Sequence, residues 1–181
     1  MRKLIFILVT ISGILLLYFL IRKNTPSPLK KHFSAQSAIN SYRIQSDSGI
    51  TEVQFKNNRF YLKTGRFIII DNTAYYQDSG DQWQLAVLPL DQASAYNRFR
   101  PEAVRQNYQN YQLTSTFTPQ GREKCDKLNC YKYSQTDASS SATRTFWFDT
   151  TDYLLRHDIF KFNGFTQENF YSYDNINIQS P

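Results

Sequence analysis

The sequence predicts an α+β domain that is built on one antiparallel sheet and follows a transmembrane helix. Three observations predict it: an uncharged apolar run near the N-terminus, short strand patterns separated by tight turns, and helical patterns that interrupt the strands. Strands that are joined by tight turns pair antiparallel, and helices mixed unevenly with such strands are typical of the α+β class. The 181 residues suffice for one domain with a core of its own.

The apolar run extends from Leu4 to Ile21 and contains no charged residue. As a helix it would be about 27 Å long, which matches the hydrocarbon thickness of a bilayer. It ends in Leu-Ile-Arg-Lys and lacks the small residues of a signal-peptide cleavage site, which favours an uncleaved anchor. We therefore predict an anchor with basic flanks over 1–23, a short linker over 24–28 and a folded domain over 29–181.

The net charge of +6 arises entirely from this N-terminal region. The first 31 residues hold six Lys and Arg and no acidic residue, and the other 15 basic residues balance all 15 acidic ones. A neutral domain with scattered charges binds polyanions poorly, so nucleic acid is excluded as a partner. The expected partner of the basic residues is the surface of the bilayer that Leu4–Ile21 crosses.

Cys125 and Cys130 bear on the side of the membrane where the domain lies. The predicted location of the pair is a loop before a strand, and we predict a structural disulfide, with two free thiols or a redox function as the alternatives. The positive charges that flank the apolar run would, by themselves, place the domain in the cytoplasm. A disulfide would instead favour the extracytoplasmic side, because such bonds persist in oxidising compartments.

After the linker, Ser27 and Pro28 have the residue types of an N-cap and a first helical position, which predicts a short helix ending near Asn40. Two strands follow, 51–56 and 59–64, joined by a two-residue turn at 57–58. This turn fixes the register and places one apolar set on a single face: Val53, Phe55, Phe60 and Leu62. The opposite face is polar and is expected to contact water.

The remaining elements are predicted from periodicity and turn residues. Strands are expected at 66–70, 73–77 and 83–88, then helical segments at 91–99 and from 101 to 111, and strands at 129–135, 144–149, 153–162 and 165–173. Residues 137–142 form a polar loop. The segment 111–117 fits a helix or a strand equally well.

No catalytic, nucleotide-binding or metal-binding motif is present, and two His and two Cys are too few for most metal enzymes. The carboxylate pairs Asp78/Asp81 and Asp149/Asp152 lie at turns, where Asp forms local hydrogen bonds. His157 is expected to be solvated or locally paired. We therefore predict a protein without catalysis and without a cofactor or metal. The high aromatic content of 16% fits either a packed core or an apolar cavity.

A series of strand and turn signatures resembles the LolA/LppX superfamily of lipoprotein carriers and lipid-binding envelope proteins. The signatures are the hairpin at 53–62, Asp-Asn-Thr-Ala-Tyr-Tyr at 71–76, Trp83, Cys-Tyr-Lys-Tyr at 130–133, Phe-Trp-Phe-Asp at 146–149, Tyr-Leu-Leu-Arg at 153–156 and the segment 170–181. The resemblance implies a strongly curved, incomplete antiparallel barrel, a half-barrel, whose apolar inner face is covered by short helices and accommodates acyl chains. It also implies an extracytoplasmic domain. Unlike many family members, this chain has no Cys for a lipid anchor after its apolar run.

The expectation from sequence is thus a single-pass membrane protein with an extracytoplasmic domain that binds a lipid, an acyl chain or another hydrophobic ligand. The predicted ligand-binding residues are Val53, Phe55, Phe60 and Leu62 from the first hairpin, with Phe146 and Phe148 from a later strand. The alternative is an envelope scaffold or interaction protein whose sheet is filled by its own side chains. Burial in a core and contact with a ligand require the same residue types, so the sequence leaves both open.

Overall fold

The computed structural model describes residues 27–86, 95–100, 102–104, 106–107, 110, 116–136 and 141–181. The predicted anchor at Leu4–Ile21 lies outside the described residues. Within them, no helix combines the length and the apolar character that crossing a bilayer requires.

The described chain folds into one antiparallel sheet of 11 strands. The strands are β1 (Ser41–Ser46), β2 (Gly49–Lys56), β3 (Arg59–Thr64), β4 (Phe67–Ile70), β5 (Thr73–Gln77), β6 (Trp83–Ala86), β7 (Thr116–Cys125), β8 (Leu128–Thr136), β9 (Thr143–Asp149), β10 (Leu155–Phe162) and β11 (Phe165–Ser172). Their order is β6-β5-β4-β3-β2-β1-β11-β10-β9-β8-β7, so β6 and β7 are edges and the sheet stays open. This agrees with the expected half-barrel.

The sheet consists of two meanders that meet in its middle. One meander contains β1 to β6 and the other β7 to β11, and they join where β1 pairs with β11. In that pairing Ile44 lies opposite Tyr171 and Ser46 lies opposite Asn169. The first and last strands of the domain are therefore direct neighbours.

The hairpin of β2 and β3 has the predicted register, with Val53 opposite Leu62 and Phe55 opposite Phe60. Its turn residues Asn57 and Asn58 have φ values of 53° and 59°. Asn tolerates this left-handed conformation, which a two-residue type I′ turn requires at both positions. The predicted strands after it are also present, although β6 ends at Ala86 and residues 87–90 lie outside the described part.

Two apolar clusters share one face of the sheet, which we call the inner face. The aliphatic cluster lies on the first meander and comprises Val53, Phe60, Leu62, Ile69 and Ala74. The aromatic cluster lies on the second and comprises Tyr133, Phe146, Phe148 and Leu155. The residue pairings from β2 through β1, β11 and β10 to β9 show that both clusters lie on the same face of the sheet.

Helix α1 (Pro28–Ser37) covers the aromatic cluster. The Ser27 hydroxyl accepts a hydrogen bond from the Lys30 amide, and Pro28 occupies the first turn, as the sequence predicts. Phe33 of α1 packs edge-on against Phe117 of β7, with 5.5 Å between ring centres. The aliphatic cluster is covered by a 3₁₀ helix (Tyr96–Phe99), and helical residues follow it at 102–104, 106–107 and 110.

The structure differs from the sequence interpretation in three respects, of which the first is strand β1, which was not predicted, and the second is the position of the two cysteines. For residues 116–117, which fit a helix or a strand equally well, the structure shows the start of β7. Cys125 and Cys130 are not in a loop before a strand but in the β7–β8 hairpin, because β7 extends to Cys125. β7 is an edge strand that contains a proline, a glycine and mostly exposed residues, so it lacks the alternation that identifies buried strands.

The third correction concerns the outer face of the first meander, which was expected to contact water. Ile176 and Ile178 of the C-terminal segment cover it and pack against Ile68 and Ile70. The Gln54 side chain fixes this segment, because its amide donates to the Ile176 carbonyl and accepts from the Ile178 amide at 3.1 Å. The chain after β11 therefore supplies the missing cover.

Candidate ligand-binding site

A cavity of about 480 Å³ lies on the inner face, where the two meanders meet. It is lined by residues of α1, β1, β2, β9, β11 and the helical segment that follows β6: Gln36, Ile39, Tyr42, Ile44, Ser46, Ser48, Thr51, Arg98, Phe99, Val104, Asn107, Arg144, Gln167, Asn169, Tyr171 and Tyr173. Pockets for small ligands commonly have volumes of about 300–1,000 Å³. The cavity is therefore large enough for a ligand.

Strand periodicity produces the floor of this cavity. Side chains alternate between the two faces of a strand, so Tyr42, Ile44 and Ser46 of β1 all reach the inner face. Because β11 pairs with β1, Asn169 and Tyr171 lie beside them on the same face. The floor is thus assembled from the two ends of the domain.

The covering segments are tied to the sheet by hydrogen bonds. The Tyr42 hydroxyl donates to the Phe99 carbonyl at 3.3 Å, and Arg100 donates to the Asp71 carbonyl at 3.0 Å. At the other side of the cavity the Gln36 amide of α1 donates to the Tyr173 hydroxyl at 3.1 Å. These bonds hold the walls of the cavity in place.

A buried carboxylate organises the polar part of the floor. Asp158 is 0% exposed and accepts hydrogen bonds from Arg144 Nε at 2.7 Å, the Tyr171 hydroxyl at 2.7 Å and Asn169 Nδ2 at 3.1 Å. A buried charge is tolerated when it is paired and its remaining lone pairs are satisfied. Asp158 therefore fixes three side chains that line the cavity while its own oxygens stay buried.

His32 secures α1 over the aromatic cluster. Its ring stacks on Phe148 with 4.2 Å between centres, and Nδ1 donates to the Tyr153 carbonyl at 3.1 Å. No described residue donates a hydrogen bond to the buried Nε2 atom. Burial lowers the pKa of His32 to about 4, because the charged imidazolium would lose its hydration, and the bond to Tyr153 only partly offsets this effect.

The six predicted ligand-binding residues flank the cavity but do not line it. Val53, Phe60 and Leu62 belong to the aliphatic cluster, and Phe55 packs against it. Phe146 and Phe148 belong to the aromatic cluster. All six lie on the inner face as predicted, in two groups on either side of the cavity, and their contact with a ligand stays a prediction.

The sequence interpretation missed the polar and aromatic residues that line the cavity floor. A signal for some of them exists in β11 and the residue after it, where every second residue from Gln167 to Tyr173 is an amide or a tyrosine. This alternation marks one face of a strand that is neither fully apolar nor charged. Because strand β1 is not predicted from the sequence, the strand that pairs with β11 is not known at that stage, and neither is the side of the sheet on which these residues lie.

Other predicted chemistry is local and lies away from the cavity. Cys125 and Cys130 form a disulfide, with 5.9 Å between Cα atoms. Asp149 and Asp152 accept hydrogen bonds from nearby backbone amides, as expected for Asp at turns. His157 pairs locally with Glu168 at 2.6 Å.

Comparisons with known proteins identify the fold rather than a close relative. No family model matches the sequence, and no curated protein is similar to it in sequence. The crystal structure of LprF from Mycobacterium bovis superposes with a TM-score of 0.59 and 15% identity, covering 85% of this chain and 95% of that one. The lipoprotein LppX from Mycobacterium tuberculosis gives a TM-score of 0.49 and 11% identity, over 86% and 100% of the two chains. The chain has an LprF-like fold, in agreement with the predicted LolA/LppX resemblance.

Proposed function

We propose that this chain is a membrane-anchored, extracytoplasmic protein that binds a lipid or another hydrophobic ligand and performs no catalysis. The cavity of about 480 Å³ on the inner face carries the proposal. An open sheet that is covered by short segments but not filled at its centre provides a ready site for an elongated ligand. The LprF-like fold agrees with this role.

The lining of the cavity matches a molecule with an apolar and a polar part. Ile39, Ile44, Phe99 and Val104 offer apolar contacts, and tyrosine rings and amides complete the walls. Burying apolar ligand surface contributes about 25 cal/mol per Å². A few placed polar groups then orient the ligand.

Two features support the proposed location. The apolar run Leu4–Ile21 is our proposed anchor, and the linker after it is only a few residues long. The disulfide between Cys125 and Cys130 supports an oxidising compartment for the domain. The anchor and the short linker fit a tethered binding protein better than a carrier that diffuses between membranes, whereas the disulfide fits either one.

The serine and threonine hydroxyl groups at the cavity support binding rather than catalysis. Ser46 hydrogen-bonds to Ser48, and Thr51 to Thr64, so these hydroxyls contact other hydroxyls instead of a general base. Asp158 is occupied by three donors. The polar groups therefore serve to position one another.

Native mass spectrometry of the full chain in a non-ionic detergent tests the proposal. We expect one lipid adduct per chain, and we expect Ile44→Trp to remove it because the indole would occupy the cavity. Leu85→Trp is the matched control, since Leu85 is 66% exposed on the outer face. Equal adducts in both variants would show that lipid binds elsewhere, for example at the anchor, and would overturn the proposal.

An envelope scaffold without a ligand is the second candidate. The observation that favours it is the dense packing of the aliphatic and aromatic clusters, whose members are 0–6% exposed. A wild-type chain that carries no adduct, and whose melting temperature does not rise when lipids are added, would support the scaffold.

A further inference from the structure

The charged residues that line the cavity have one sign. Among the described residues that line it are Arg98 and Arg144, but no Asp or Glu. The carboxylate nearest to them in the hydrogen-bond network, Asp158, is fully buried and already accepts three hydrogen bonds. From the described part of the chain, a ligand in the cavity therefore meets the guanidinium groups of Arg98 and of Arg144, the second paired with buried Asp158, together with amide donors and no exposed carboxylate.

The two arginines belong to different walls. Arg144 lies on β9 in the sheet, where Asp158 holds its Nε and its guanidinium packs over the Phe146 ring at 5.3 Å. Arg98 lies on the 3₁₀ helix of the cover, and its guanidinium packs over Phe99 at 4.9 Å. Stacking on an aromatic face restricts an arginine without consuming its hydrogen-bond donors.

The segment that carries Arg98 is itself fixed. The Tyr42 hydroxyl donates a hydrogen bond to the Phe99 carbonyl, and the Arg100 guanidinium donates hydrogen bonds to the Asp71 carbonyl and the Asn72 side chain. Both cationic groups are thus held before a ligand arrives, which lowers the entropy cost of binding. Asn169 and Gln167, which are hydrogen-bonded to each other at 3.2 Å, add amide donors to the same lining.

We propose that the cavity selects amphiphiles with an anionic phosphate or carboxylate headgroup, which Arg98 and Arg144 contact from the cover and the sheet. This inference rests on the proposed function and specifies its ligand class. Guanidinium groups form strong, charge-assisted hydrogen bonds with phosphate and carboxylate oxygens. A lipid headgroup is favoured over a free anion, because Ile39, Ile44 and Phe99 in the same cavity need an apolar partner.

The test compares two single-chain lipids that have the same acyl chain. The full chain in a non-ionic detergent is offered equal amounts of lysophosphatidylglycerol, which has an anionic phosphate, and the corresponding monoacylglycerol, which has no charged group. Native mass spectrometry then gives the ratio of the two adducts. We expect the wild type to favour the anionic lipid by roughly tenfold, the effect of one charge-assisted hydrogen bond.

Substitutions assign the preference to the arginines. Arg98→Gln should bring the ratio close to one, whereas Arg98→Lys should keep most of the preference. Arg144→Lys retains the charge that pairs with Asp158 and should lower the ratio by a few-fold, since lysine lacks the planar fork. Lys56→Gln is the control, because Lys56 is exposed at the hairpin turn and does not line the cavity.

The outcomes separate this inference from the proposed function. If both lipids bind equally and Arg98→Gln changes nothing, the anionic preference is wrong while lipid binding stands. If neither lipid forms an adduct, the proposed function itself fails. Inorganic phosphate is the second probe: at the same concentration it should not displace the anionic lipid, and displacement would overturn the assignment to a lipid headgroup.

Discussion

The two meanders of the sheet bury their surfaces by different means. In the first, the inner face carries the aliphatic cluster, and the outer face is covered by Ile176 and Ile178 of the C-terminal segment. In the second, α1 covers an aromatic cluster, and polar groups such as His32 and Asp158 are buried beside it. The first meander therefore buries apolar residues on both faces, with Gln54 as its buried polar contact, whereas the second buries a charged and an ionisable side chain.

The contrast explains where the cavity lies. Each meander has its own cover, α1 on one side and the 3₁₀ segment on the other, and neither cover fills the space above β1 and β11. Close packing within each half and an unfilled junction between them show how a stable domain can retain a cavity. Four predictions examine this division, from the largest expected effect to the smallest.

Truncating the two clusters should destabilise the domain strongly. Leu62→Ala in the aliphatic cluster should lower the free energy of unfolding by about 3 kcal/mol, and Phe148→Ala in the aromatic cluster by about 4 kcal/mol, through lost burial and an unfilled cavity. Urea denaturation in detergent measures both. Lipid binding by the folded fraction should persist. A variant that keeps its stability but loses the lipid would instead identify that residue as a ligand contact, as the sequence suggested.

Removing residues 174–181 should destabilise the first meander by about 3 kcal/mol, because two buried isoleucines lose contacts worth about 1.5–3 kcal/mol each and part is regained as chain entropy. Gln54 would also lose both of its partners. Removing only 179–181, which are exposed, is the control and should leave the urea midpoint unchanged. An unchanged urea midpoint after the longer deletion would contradict the prediction that the packing of Ile176 and Ile178 on the outer face stabilises the first meander.

Replacing both Cys125 and Cys130 with Ser should cost about 2 kcal/mol, the loop-closure contribution of a short disulfide loop. The effect should fall on the second meander alone and leave lipid binding intact, because the bond lies at an edge hairpin. Thermal unfolding with and without reductant gives the same comparison for the wild type. A loss of lipid binding on reduction would show that the two regions are coupled.

Acid should weaken the second meander through His32. Its pKa is about 6.5 when unfolded and about 4 when folded, so its neutral form is favoured by folding. The stabilisation is complete well above pH 6.5 and is lost as pH falls toward 4, on the order of 2 kcal/mol by pH 5. His32→Phe should lack this part of the pH dependence, while His157→Asn should keep it. Identical profiles for wild type and His32→Phe would contradict the assignment.

Much of the fold was predictable because local rules and tertiary packing agree. The Asn57–Asn58 turn fixed the register of β2 and β3, and Ser27 with Pro28 identified the start of α1. Strands such as β4 are apolar on most positions and are recognisable without a partner. In these segments the sequence pattern has one physical interpretation.

The cavity floor was not predictable for the opposite reason. The sequence of β1 lacks a clear alternation of apolar and polar residues. Its inner-face residues can be recognised as part of a cavity floor only when β11 is known to pair with β1. The cover of the outer face depends on Gln54 meeting a segment that follows the last strand. Such contacts join residues that are far apart in the sequence, so they cannot be predicted from a local sequence pattern.

The pairing of β1 with β11 has a consequence for the order of folding. Ile44 and Tyr171 come from opposite ends of the domain, so this contact closes a long loop and carries a large entropic cost. Contacts of such high sequence separation make folding slow. Because the cavity floor consists of these two strands, the proposed ligand could bind only a chain in which this long-range pairing has formed, and its binding energy would then stabilise that pairing.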